Sequence, residues 1–167
     1  TYRFSARTSH DLKPFTLRLG GNYNYSDTRT YIHSYAKNNS HHNPRTIADN
    51  LTISARLSQT VSSNAFWNLN TGFKNYKREG GDGYLFDDLL AYGDSDLNPE
   101  LLNDDGTQKV PYGSRVGLDS QGSFHGFGRV SNSYDLADNK TFYADFDFTA
   151  QINEHLLEVG AGVSYDI

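Results

Sequence analysis

The stretch Asp147-Phe-Thr-Ala-Gln-Ile-Asn-Glu-His-Leu-Leu-Glu-Val-Gly-Ala-Gly162 alternates apolar and polar residues on both sides of Asn153-Glu154. Alternation with a period of two belongs to a strand that has one apolar and one wetted face. With Asn153-Glu154 as a two-residue turn, Ile152 stands opposite His155. The following pairs are Ala150–Leu157, Phe148–Val159, Phe146–Ala161, Ala144–Val163 and Phe142–Tyr165. Past the turn, apolar meets apolar every time, whereas a one-residue slip sets Phe against Gly or Glu. The pattern therefore specifies the register, although Asn-Glu is not the favoured Asn-Gly hairpin turn.

Outward from this hairpin, the same alternation marks four more strands. Tyr2, Phe4 and Ala6 oppose Arg3, Ser5 and Arg7; Phe15, Leu17, Leu19, Tyr23 and Tyr25 oppose Thr16, Arg18, Asn22 and Asn24. Leu51, Ile53, Ala55 and Leu57 oppose Thr52, Ser54, Arg56 and Ser58, and Trp67, Leu69 and Phe73 oppose Asn68, Asn70 and Lys74. Three connections are short: one near His10 to Lys13, one near Ser62 to Ala65, and Asn153-Glu154. Two are long, 34–49 and 78–139. In a meander, alternate connections emerge at the same end, so one end carries tight turns and the other long loops. Outer-membrane barrels show this asymmetry, with short periplasmic turns and long extracellular loops.

Composition agrees with strands. Aromatic residues make up 14% of the 167, with 15 Gly and only 4 Pro, a bias that favours long strands. A mean hydropathy of −0.69 argues against transmembrane helices but not against a barrel, in which only every second residue meets lipid. A net charge of −5, with no basic cluster interleaved with aromatics, argues against nucleic acid as a partner. Cysteine is absent, which excludes disulfides and thiolate metal sites. Both ends fall within strand-like sequence, so the chain is expected to be one partial barrel region, 1–167, of a larger protein.

The expected fold is all-β: an antiparallel, up-and-down segment of a transmembrane β-barrel with about six long strands. Phe15 and Trp67 toward the tight turns, and Tyr23, Tyr25 and Tyr165 toward the other end, have the placement of interfacial aromatic girdles. Arg18, Arg56, Lys74, Asp145, Asp147 and Glu158 suit a hydrated interior. The alternative is a soluble or cell-surface β-sandwich that binds a ligand, with the apolar stripe buried between two sheets.

The segment Phe142 to Gly162 resembles the barrel repeat of TonB-dependent outer-membrane receptors, and most of all their large Oar-like branch. The resemblance rests on Asp147, Thr149, Gln151, Asn153, His155, Leu157 and Gly160, with Leu156-Leu157 in place of a frequent second His. Phe86 to Pro99 is similar in style. The resemblance implies a barrel of roughly 22 strands closed by a plug domain, importing a scarce ligand across the bacterial outer membrane with energy relayed by TonB through that plug. The implied partners are outer-membrane lipid, the rest of the barrel, the plug, TonB and an extracellular ligand.

No enzyme is expected. Asp94, Asp96, Asn98 and Asp105 occupy the first, third, fifth and twelfth positions of a calcium-type loop. Pro99, however, stands where the sharp-turn Gly belongs, and the plainer reading is a solvated acidic loop. His33, His41 and His42 share one loop, but adjacent His rarely converge on one ion. Gly93-Asp94-Ser95-Asp96 superficially matches a lipase nucleophile block, yet no Asp-x-x-His follows to supply a base. Tyr31, Tyr35, Tyr84, Tyr92 and Tyr112 have the chemistry to stack on a ligand, or simply to pack the loops.

Overall fold

The hairpin between Asp135–Ile152 and His155–Asp166 has the register that the alternation specifies. Ile152 faces His155, Ala150 faces Leu157, and Phe142 faces Tyr165. Asn153 takes the turn with φ of 55°, a left-handed conformation that Asn tolerates better than most residues. The computed structural model describes residues 1–93, 103–107, 118 and 121–167.

Six strands form one antiparallel sheet in chain order: β1 (Tyr2–Leu12), β2 (Phe15–Arg29), β3 (Arg45–Ser62), β4 (Ala65–Gly81), β5 (Asp135–Ile152) and β6 (His155–Asp166). The expected all-β meander is thus present. The sheet is not closed: β1 and β6 each have a neighbour on one side only. Tight turns join β1 to β2 at Lys13-Pro14, β3 to β4 at Ser63-Asn64, and β5 to β6 at Asn153-Glu154.

The apolar parities of all six strands share one face. Phe4 pairs with Tyr23, Ala6 with Gly21, and Leu12 with Phe15. Ser54 Oγ donates to the Gly20 carbonyl on the other face, which leaves Ile53 and Ala55 beside Leu19. Trp67 Nε1 donates to Gln59 Oε1 at 2.8 Å on the apolar side, and Ser58 donates to Asn68 at 2.8 Å on the polar side. Phe73 lies 4.7 Å from Phe142 between ring centroids. Trp67 stands between Phe15 at 6.2 Å and Phe146 at 6.0 Å. The polar face carries Arg7, Arg18, Arg56 and Lys74 on β1 to β4, and Asp145, Asp147 and Glu158 on β5 and β6.

The apolar face is bare. Ile53 is 51% exposed, Phe146 42% and Val159 54%. Among the described residues no second sheet covers them, as a sandwich requires.

The strands run beyond the alternating segments. β3 begins at Arg45, inside the stretch expected to be loop from 34 to 49. β4 reaches Gly81 and β5 starts at Asp135, inside the stretch expected from 78 to 139. The connections are therefore 30–44 and 82–134. Polar pairs hold these extensions. Arg45 donates to both oxygens of Asp27 at 2.8 and 2.6 Å, Arg78 meets Asp135 at 2.7 Å, and Tyr134 donates to Glu79 at 2.8 Å.

The chain divides into two compact units. One comprises Thr1–Ser26, Ala48–Lys77 and Ala137–Ile167, the main body of the sheet. The other comprises Asp27–Ile47 and Arg78–Leu136, the strand extensions and both long connections.

Candidate functional site: the loop unit and its buried clasp

Where β4 ends, the chain must turn without leaving backbone groups unsatisfied. Asp82, the next residue, provides the partners. Its Oδ1 accepts from Tyr84 N–H at 2.9 Å and Leu85 N–H at 3.0 Å. The same oxygen accepts from His42 Nδ1 at 2.8 Å, and Oδ2 accepts from Ser131 N–H at 2.9 Å. One carboxylate thus ties together the 30–44 connection and both ends of the 82–134 connection. Asp82 and His42 are both fully buried. Burial raises the Asp82 carboxyl, but His42 and the backbone N–H groups of Leu85, Ser131 and Tyr84 outweigh it and hold it below the ordinary Asp value.

Asn39, also fully buried, repeats the device. Its Oδ1 accepts from Arg129 N–H at 2.8 Å and its Nδ2 donates to the Gly126 carbonyl at 3.0 Å. Asn38 reaches the His125 carbonyl at 2.7 Å, and Tyr35 donates to the Val130 carbonyl at 3.3 Å. Arg29 donates to the carbonyls of His41 and Gly83 at 3.0 and 2.9 Å. Leu85, Ala91 and Val130 form a small apolar nucleus with Tyr92 packed against it. Phe86 sits at φ of 37°, a strained value for a bulky side chain. It is held there by Arg45 over its ring at 5.1 Å and by Tyr92 Oη donating to its carbonyl at 2.7 Å.

This framework presents rings to solvent. Tyr84 is exposed, with its backbone held by Asp82 and its ring edge-on to His41 and His42 at 5.8 and 5.7 Å. Tyr31 and Phe127 are exposed as well. Exposed aromatics on a rigid, hydrogen-bonded frame suit contact with a flat or apolar ligand. The Asp82 carboxylate is engaged in holding the frame. Three of its four protein donors converge on Oδ1 and one on Oδ2.

The residues singled out in the sequence divide accordingly. Asp94, Asp96, Asn98 and Tyr112 lie outside the described residues. Asp105 is described and exposed; its Oδ1 accepts from the Thr107 hydroxyl at 2.6 Å and the Thr107 N–H at 2.9 Å, and these bonds lower its pKa. Among the described residues, no group of three or more His, Asp or Glu is placed to hold a metal ion. His33 meets the Tyr31 hydroxyl at 3.1 Å and packs on Phe124, away from the His41–His42 pair in the hydrogen-bond pattern. Tyr35 and Tyr92 pack the unit, whereas Tyr31 and Tyr84 face outward. Sequence reasoning missed Asp82 and Asn39. The only local signal is Asp82-Gly83 at a strand end, a turn dipeptide.

Compared with known proteins, the chain matches no family model, no curated protein and no solved structure.

Proposed function

We propose that this chain is part of the outer-membrane barrel of a TonB-dependent receptor in a Gram-negative bacterium. It contributes barrel wall and outer loops that capture a scarce ligand for import. The observation that carries this reading is the bare apolar face of a single sheet, with Ile53, Phe146 and Val159 about half exposed. Contiguous apolar surface of that kind is costly in water, and lipid removes the cost. Strand length supports the same reading. The 18 residues of β3 or β5 rise about 59 Å at ~3.3 Å each, enough to cross a hydrocarbon core of about 30 Å and continue into water. The loop unit, with Tyr31, Tyr84 and Phe127 outward, then serves as the ligand-facing part. The alternative, a soluble or cell-surface sandwich, needs a cover for the apolar face.

The test uses nitroxide labels, one at a time, at Ile53→Cys, Phe146→Cys and Val159→Cys in the complete gene product in bilayers. Asp145→Cys and Asp147→Cys serve as polar-face controls. Greater contact with dissolved oxygen than with a water-soluble nickel chelate at the first three, reversed at the controls, is the expected outcome. Nickel contact dominating at all five positions sinks the membrane assignment.

A further inference from the structure

We propose that the polar face of the sheet carries an oxyanion-binding site formed by Arg7, Arg18 and Arg56, suited to a small solute bearing a phosphate or carboxylate group. The three side chains are exposed and line a groove of about 520 Å³ that extends from β1 across to Asn70 on β4 and Tyr143 on β5. That volume lies within the range of small-ligand pockets.

Register brings the charges together. Arg7 pairs with Gly20 and Ser9 with Arg18, so Arg7 is the diagonal neighbour of Arg18. A Cβ on Gly20 would stand 3.1 Å from Ser54 Oγ, and Thr28 Oγ1 reaches the Thr46 carbonyl at 3.4 Å. Both contacts belong to one antiparallel register of β2 and β3, and that register places Arg18 directly across from Arg56. Like charges at directly opposed positions destabilise a sheet. By contrast, Arg45 is paired with Asp27 and Arg78 with Asp135. Arg7, Arg18 and Arg56 have no ion-pair partner among the described residues. Asp11 on β1 is the other diagonal neighbour of Arg18 on this face; the remaining carboxylates of the face stand on β5 and β6, at least two strand spacings of about 4.8 Å from Arg56.

The floor of the groove suits a bound anion. Over Gly20, which has no side chain, Ser54 Oγ and Arg7 Cγ close in to 3.1 and 3.9 Å of where a Cβ would stand, and these two side chains form the floor. Ser54 and Asn70 on the lining offer hydrogen-bonding groups for the rest of a polar solute. Guanidinium groups bind two-oxygen anions bidentately, and three converging on one groove replace mutual repulsion with attraction to a shared counter-charge. The site holds whatever covers the opposite, apolar face, and so does not depend on the membrane reading.

The test is protection of arginines from phenylglyoxal in the complete gene product, read residue by residue by mass spectrometry. The probes are inorganic phosphate, citrate and, as an uncharged control, glucose. Arg7, Arg18 and Arg56 are expected to slow together by about tenfold at ten times the probe's Kd, with Arg45 and Arg78 unchanged and glucose without effect. Stronger protection by citrate assigns a carboxylate ligand, and by phosphate a phosphate ligand. Unchanged rates at the three arginines, protection of only one of them, or equal protection by glucose overturns the site. Arg18→Gln with Arg56→Gln is expected to weaken phosphate or citrate binding by about tenfold to a hundredfold. Unweakened binding in that variant likewise overturns it.

Discussion

The imidazole of His42 and the carboxylate of Asp82, 40 positions apart in sequence, meet at 2.8 Å with neither side chain exposed and join the two long connections. A buried carboxylate is tolerable only with its acceptors filled, and Asp82 has four donors.

Asp82→Ala therefore removes the partner of His42 and of three backbone N–H groups at once. The expected cost to the loop unit is several kcal/mol, since each buried donor left without its acceptor costs about 1–3 kcal/mol. Hydrogen exchange at Tyr84, Leu85 and Ser131 should lose protection, while amides of the β5–β6 hairpin keep theirs. Retained protection at those three amides shows that the clasp is dispensable.

Acid should open the same unit. The folded-state pKa of Asp82 lies below its ordinary value, so its stabilisation is complete above about pH 3.9, the unfolded Asp value. It is lost as pH falls from there through the lower folded value. Protection factors at Leu85 and Ser131, followed from pH 6 downward, should hold and then fall only below about 3.9. In Asp82→Asn they should start lower and keep only a smaller step, to which Asp27, held low by Arg45, contributes.

Gly83 is hemmed in by backbone. A Cβ there would collide with the carbonyl oxygens of His41 and Asn43, neither of which can rotate away as a side-chain tip can. Gly83→Ala is expected to destabilise the loop unit by about 1–3 kcal/mol, the usual range for overpacking. Gly106→Ala tests a different cause, because that position is open but has φ of +80°, so its penalty is conformational. Thermal unfolding monitored by loop-unit tyrosines should rank Gly83→Ala as the more harmful; the opposite order contradicts the close packing.

On the apolar face, Phe146→Arg is expected to cost about 2–4 kcal/mol if that position lies near the bilayer midplane. Asp145→Arg, one residue away on the polar face, should cost far less. Urea titration of the lipid-embedded complete gene product measures both. Equal costs remove the support for lipid against this face.

What was legible in the sequence follows from where the two faces differ chemically. Between Phe142 and Tyr165 every second residue changes polarity, and both strands and their register could be read. From Arg45 to Asn50 and from Asn75 to Glu79 both faces are largely polar, so alternation fades although the ladder continues. There the strands are held by Asp27–Arg45, Arg78–Asp135 and Glu79–Tyr134, pairings between distant residues that no local period reveals. The clasp escaped for the same reason. His42 looked like one of three loop histidines, and Asp82 like one more acid of a solvated acidic loop. Only the fold brings them together. His41 and His42 pack ring against ring at 4.6 Å, a contact that their adjacency in sequence does not specify.

The number of strands has a consequence for whatever completes the sheet. Odd-numbered strands run one way and even-numbered strands the other, so the two outermost of the six point in opposite directions. Adding ribbons in pairs preserves that relation, and a ring so completed joins its last seam like every other. An odd addition brings two co-directional ribbons together, with slanted and slightly weaker bonding. A ring built on this meander therefore has an even total, or else carries one parallel join.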